Sequence, residues 1–221
     1  MRDNDISILL NVSSTREQIT RVLCRIAEDV LEEHSVEYEE PCSVYVVGTG
    51  YDFDEFGAVF AARPPITLEG VACFWTEKSP IVVNEDVYGI QQHFLEPVIG
   101  TRKRLLLLSQ SMIADKMEVL TILSRVMPLV KPTYLTIACA AINSSVKAEL
   151  EDFLQDYFED GDLQIMGPDL AVDLRAARVR IARTLDDRPS RLVPIMSMWL
   201  FERRFGLKPD PEPKVVADYG R

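Results

Sequence analysis

No apolar run in the 221 residues approaches the roughly 18 that a bilayer-spanning helix needs, so no membrane span is expected. The opening MRDNDISILLNVSS sets acids beside its one arginine and follows them with a short apolar run, a poor signal peptide. Histidine is scarce, with only His34 and His93. Cys24, Cys42, Cys73 and Cys139 are widely spaced, so no metal-ligand pattern arises and no metal site is expected. The thiols, in apolar or strand-like contexts, read as reduced and mostly buried, and the compartment as cytoplasmic. Internal repeats and low-complexity tracts are also missing. What remains, 47% apolar and 27% charged, is the composition of an ordinary globular chain large enough for one sizeable core.

The net charge of −11 is unevenly placed. Residues 171–221 carry 11 basic against 7 acidic side chains, a balance of +4 that leaves −15 for the rest. The simplest expectation is a basic segment packed on an acidic body. The arginines from Arg175 to Arg191 have little aromatic interleaving, so nucleic acid is a disfavoured partner.

Periodicity alternates along the chain. Ser14 and Glu17 have capping-box spacing before a helical face of Ile19, Val22, Leu23, Ile26, Val30 and Leu31. CSVYVVGTG reads as a strand, DFDEFGAVFAARPP as a short helix stopped by its prolines, and EGVACFW as a second strand. Residues 76–100 read as a long connection with a β-arm. Leu105–Leu108 form an inner strand, followed by a helix to about Val126 and a strand through TYLTIACAAI. A helix capped by Ser144 or Ser145 and a strand at DLQIMG close the alternation. This order predicts an α/β fold, a mainly parallel sheet of about five strands flanked by helices. It spans residues 1–170, with 171–221 as a basic helical extension packed on or beside it. In that extension Leu170, Leu174, Ala177, Ile181 and Leu185 make one apolar stripe, and PIMSMWLF crowds Met196, Met198, Trp199 and Phe201 together.

The stretch RLLLLSQSMIADKMEVLTIL (residues 104–123) feeds a buried strand into a helix through a tight loop, a common way to build a phosphate site. Such loops usually carry glycine, which lets the backbone approach the anion closely. This one has none.

The order of elements, with Met-Ile-Ala in this loop, resembles the uracil phosphoribosyltransferase family and its type I phosphoribosyltransferase fold, over roughly residues 14–173. In that family the loop reads Asp-Pro-Met-Leu-Ala-Thr-Gly-Gly-Ser and holds the phosphate and ribose of phosphoribosyl pyrophosphate. Here the register gives Gln110, Ser111, Met112, Ile113, Ala114, Asp115, Lys116, Met117 and Glu118. YVVGTGYDFDEFGAVF and VACFWTEK resemble the strands that carry the family's pyrophosphate-associated arginines, but those arginines fall at Gly48 and Thr76. The segment that reads uracil is echoed only by Asp218, Gly220 and Arg221 in VVADYGR. The resemblance implies a homodimer and a place in pyrimidine salvage. The departures imply a degenerate active site, because two carboxylates and a methionine replace groups that would receive a phosphate.

The expectation is therefore a uracil phosphoribosyltransferase-like protein that has lost catalysis, a pseudoenzyme with no catalytic residue and no cofactor. It would act as a binding, regulatory or assembly subunit, alone as a dimer or with another protein. The alternative is an active transferase, of uracil or another acceptor, whose anion site is rebuilt with Arg175 or Arg178; only then would magnesium be required. His93 as a general base and Asp52, Asp54 and Glu55 as a cation site are weaker candidates. An ordinary polar histidine and a helix N-terminus complemented by acids explain those residues as well.

Overall fold

The computed structural model describes residues 3–33, 41–79, 87–100, 102–159, 161–186 and 198–205. The chain opens with a helix that its sequence pattern does not announce, α1 (Asp3–Leu10), followed by α2 (Arg16–Glu33). The capping box sits one residue later than Ser14 and Glu17. Thr15 N donates to Gln18 Oε1 at 2.8 Å, and Gln18 N donates to Thr15 Oγ1 at 3.3 Å. Ser14 is engaged elsewhere, its hydroxyl donating to Ile8 O at 2.7 Å and closing the end of α1. Ile19, Val22, Leu23, Ile26 and Val30 are buried on the expected face of α2.

Strand β1 (Cys42–Thr49) leads through a π-helical turn at Phe53–Gly57 into the short α3 (Ala58–Ala62). Then come β2 (Leu68–Lys78), β3 (Tyr88–Leu95) and β4 (Lys103–Ser109). The short β5 (Met112–Ile113) and the long α4 (Lys116–Val130) follow. The remaining strands are β6 (Tyr134–Ala138), β7 (Ala141–Asn143), β8 (Leu163–Met166) and β9 (Asp169–Leu170). Helix α5 (Ser144–Leu154) lies between β7 and β8, and α6 (Arg175–Asp186) and α7 (Met198–Phe205) come last.

The main sheet has the order β3-β2-β1-β4-β6-β8. Every pairing in it is parallel except β2 with β3, the arm expected within residues 76–100. Strand β4 is an inner strand between β1 and β6. The four consecutive leucines then have a simple reading. Side chains alternate across a strand, so Leu105 and Leu107 enter the core beneath α1, α2 and α6, while Leu106 and Leu108 enter the one beneath α4 and α5. Each fully buried leucine contributes about 1.5–3 kcal/mol of transfer free energy.

Three local expectations shift. The run TYLTIACAAI is two strands, because Ala140 N and Ala141 N both donate to Ser111 O (2.9 and 3.0 Å) and draw the chain into a second, three-stranded sheet β5-β7-β9. Helix α4 continues past Val126 to Val130 with Pro128 in its last turn, and it ends at Lys131 in the left-handed region, φ 49°. The cap of α5 is Asn143, whose Oδ1 accepts from Ser145 N at 3.0 Å and Val146 N at 3.4 Å, rather than Ser144 or Ser145.

Beyond residue 170 the chain joins the same core. Leu174, Ala177, Ile181 and Leu185 are buried with α1 and α2, and Arg180 donates to Leu9 O. Trp199 lies against Phe53 with centroids 6.0 Å apart, and Leu200 is buried, so the domain itself covers this part of PIMSMWLF. Met196 lies outside the described residues. None of the four cysteines forms a disulfide; burial pushes the Cys139 thiol up to about 12. Among the described residues no helix is long and apolar enough to cross a membrane.

Candidate functional site

In an open α/β sheet a ligand crevice forms at the carboxyl ends of the strands, where successive crossovers leave in opposite directions. Here the chain runs from β1 to β2 on one side and later places β4 on the other, so the switch point lies between the ends of β1 and β4. Two segments meet there: Thr49–Asp52 after β1, and Gln110–Glu118, the loop singled out by sequence.

Several of the loop's donors are already engaged. Ser111 N donates to Asp52 Oδ2 at 2.8 Å, and Asp52 Oδ1 accepts from Thr49 Oγ1 at 2.5 Å. Met112 and Ile113 form β5 and pair with Ala141 and Ile142. Asp115 is the N-cap of α4, and its Oδ1 accepts from Met117 N at 2.9 Å. The helix N-terminus that would receive an anion thus meets a carboxylate of its own chain.

Glu118 is 0% exposed. Its Oε1 accepts from Thr76 Oγ1 at 2.5 Å and from Arg178, and its Oε2 accepts from Gln110 Nε2 at 2.8 Å. Arg178 comes in from α6, with its guanidinium 5.6 Å from the ring centroid of Tyr51. Burial alone would lower the Arg178 pKa, but the Glu118 carboxylate outweighs it and holds the guanidinium above its ordinary value. The Tyr51 hydroxyl donates to Thr76 O at 2.6 Å, tying the ends of β1 and β2 together.

What is left at the switch point is a cavity of about 10 Å³, bordered by Thr49, Asp52, Gln110, Ser111 and Arg178. That is room for about one water. A phosphate entering here would meet the buried Asp52, which borders the cavity. One like-charge pair at about 4 Å costs on the order of 4 kcal/mol at an effective dielectric near 20.

The two positions where the resemblance calls for arginine are closed as well. A Cβ at Gly48 would lie 2.6 Å from the Phe53 ring, so no longer side chain fits, and Thr76 is buried against Glu118. Lys116 points the other way, its Nζ 2.5 Å from Glu149 Oε2 on α5. Arg178 does reach the loop's mouth, where Glu118 neutralises it. Arg175 borders an adjoining cleft of about 420 Å³ together with Lys78, Arg183, Tyr51 and Tyr88.

The remaining candidates separate. His93 is on the exposed face of β3, stacked at 6.1 Å on Phe74. Asp52, Asp54 and Glu55 diverge: Asp52 turns to Ser111, Asp54 accepts from Trp199 N at 3.0 Å, and Glu55 lies 3.8 Å from Arg16. Among the described residues no three His, Cys, Asp or Glu side chains group as metal ligands would. Asp218, Gly220 and Arg221 lie outside the described residues. Sequence reasoning missed the link from Asp52 to the loop. Its signal was faint, a short polar Thr49-to-Asp52 turn after a strand end.

No family model matches the sequence, and no curated protein matches it either. Among solved structures, the AQ2163 protein of Aquifex aeolicus superposes with a TM-score of 0.53 at 10% identity, covering 73% of this chain and 79% of that one. Adenine phosphoribosyltransferase of Trypanosoma brucei superposes at 0.44 with 11% identity, over 67% of this chain and 64% of that one. The enzyme of Leishmania donovani superposes at 0.45 with 13% identity, over 71% and 68%. The likeness to the first is one of fold.

Proposed function

We propose that this chain is a uracil phosphoribosyltransferase-like protein that has lost catalysis and serves as a binding, regulatory or assembly subunit. The single observation behind this reading is the state of the switch point. The Ser111 and Met117 amides are bonded to Asp52 and Asp115, and Glu118 is held by Thr76, Gln110 and Arg178. Transfer from phosphoribosyl pyrophosphate depends on preorganised amides and cations aimed at the phosphates. In this chain those donors are aimed at carboxylates.

The test is direct. Purified protein, assayed with uracil, phosphoribosyl pyrophosphate and magnesium, is expected to show no turnover, and titration calorimetry with phosphoribosyl pyrophosphate is expected to show no saturable heat. Turnover above a no-enzyme control, or a phosphate bound by the amides of residues 113–117 in a crystal, overturns the reading.

A rival reading, an active transferase with a rebuilt anion site, draws on one observation. The 420 Å³ cleft beside the loop is bordered by Lys78, Arg175 and Arg183, with Glu77 as its only carboxylate among the described residues. The same titration decides between the two, since an active enzyme must bind phosphoribosyl pyrophosphate. A homodimer, carried over from the family resemblance, completes the proposal; light scattering at micromolar concentration checks it.

A further inference from the structure

The substitutions that spoil the loop for phosphate build something on its other side. Lys116 and Met117 open α4, and both border a groove of about 670 Å³ between α4 and α5, on the flank away from the switch point. Met117 is 37% exposed there. Leu120, Met127, Pro128, Phe153 and Tyr157 continue the lining. Phe153 and Tyr157 pack ring to ring at 5.6 Å, yet remain 47% and 62% exposed. Their neighbours Leu150 and Leu154 are fully buried in the core. The apolar surface at the end of α5 is therefore wider than the core requires, with Phe153 and, just beyond the helix, Tyr157 in water.

On the α5 side the rim is formed from an acidic segment, while α4 carries the exposed Arg125. Glu149, Glu151, Asp152, Asp156 and Glu159 are exposed, and residues 149–159 contain no cation. Among the described residues the one cation lining the groove is Lys116, already paired with Glu149.

We infer that the α4–α5 groove docks a basic amphipathic helix from another protein. Such a helix lays apolar residues spaced i, i+3, i+4 and i+7 into the groove, and its flanking lysines or arginines meet the acidic rim on the α5 side. Methionine, which adapts to irregular apolar surfaces, suits a groove of this kind. Charge selects this occupant over two others. A second copy would bring the same carboxylates against one another, and an anionic membrane surface would meet them with its own charge. The inference deepens the assembly half of the proposed function and rests on it, and it supplies a physical use for a fold whose anion site is closed.

The test uses the full chain and two labelled synthetic helices of about 18 residues with one shared leucine face, one flanked by lysine and the other by glutamate. Fluorescence anisotropy is expected to show the lysine helix binding at least ~10-fold more tightly than the glutamate helix. The double variant Phe153→Ser, Tyr157→Ser is expected to weaken that binding by at least ~10-fold, since exposed aromatic anchors carry most of such an interface. Asp152→Lys with Asp156→Lys is expected to bring the two helices to parity or reverse their order. Circular dichroism of each variant establishes that it is folded. Equal binding of the two helices by the wild type overturns the inference, as does undiminished binding by the folded serine variant. It is also overturned if the serine variant dissociates a wild-type dimer, which would make a second copy the occupant. These readouts are separate from turnover: a catalytically active chain that binds the lysine helix loses the proposed function and keeps the groove, and an inactive chain that binds neither helix loses only the groove.

Discussion

The two ends of the parallel sheet are built alike, and that is unusual for a fold whose carboxyl end ordinarily holds the ligand. At the amino end, Glu69 at the start of β2 meets Arg104 at the start of β4, with Nε–Oε2 at 2.8 Å and Nη2–Oε1 at 3.1 Å. Ser43 Oγ adds a bond to Glu69 at 2.6 Å, and Ile99 N adds one at 3.1 Å. At the carboxyl end, Glu118 meets Arg178, with Thr76 and Gln110 as further donors. Each site is a largely buried carboxylate saturated by an arginine and neutral donors, and each ties separate elements together. The amino end of such a sheet commonly holds only structure. Here the carboxyl end carries the same kind of device, and it fastens α6 to the strand ends.

The comparison breaks most sharply at its arginines. Arg178→Leu and Arg104→Leu are each expected to cost about 3–5 kcal/mol in urea unfolding, because each leaves a buried carboxylate without its cation. A loss below about 1 kcal/mol for Arg178→Leu beside a large one for Arg104→Leu would mean that the carboxyl end is no fastening.

The pH dependence sharpens the same contrast. Burial alone would raise the Glu69 pKa, but its bonds to Arg104 and Ser43 outweigh that and hold it below its usual 4.5. A carboxyl depressed in the folded state contributes stability above its unfolded value, and that contribution is lost as pH falls through the folded value. Stability is therefore expected to decline below about pH 4.5, with part of the decline absent in Arg104→Leu. The Arg178 guanidinium is held above its ordinary value, so its contribution is complete below that ordinary value and is lost only at strongly alkaline pH. Its share of stability is expected to be flat between pH 5 and 10.

A smaller effect separates the loop's two sides. Asp115→Ala removes the cap of α4 and is expected to cost about 0.5–2 kcal/mol in thermal or urea unfolding, an ordinary N-cap loss. If the variant instead binds phosphoribosyl pyrophosphate in calorimetry, the carboxylate was the only obstacle. The smallest effect belongs to Arg183, exposed beside the same cleft as Arg178; Arg183→Ala is expected to stay within about 0.5 kcal/mol of wild type by the same unfolding measurement.

Several of these features were legible in the chain. The leucine run, the stripe of α2 and the stripe from Leu174 to Leu185 each became the buried face that periodicity predicts. The strand-loop-helix passage at residues 104–123 was legible too, as β4, β5 and α4. Caps and strand ends were less legible, because their choice is a competition. Ser14 has a capping hydroxyl, but the end of α1 claims it, and Thr15 caps instead. Likewise nothing local tells TYLTIACAAI to divide; the Ser111 carbonyl, 29 residues before Ala140, divides it.

By itself, then, the sequence determined the layers of this protein, since apolar spacing at 2 or 3.6 residues selects strand or helix and names the side that leaves water. It also placed two carboxylates and a methionine, and no glycine, in residues 113–118, where β4 passes through the loop into α4. Only the tertiary structure decided where the carboxylates went: Asp52 onto Ser111, Asp115 onto Met117, and Glu118 onto Thr76, Gln110 and Arg178. A buried charge must find its partners wherever the fold brings them, and here one of them stands 60 residues away.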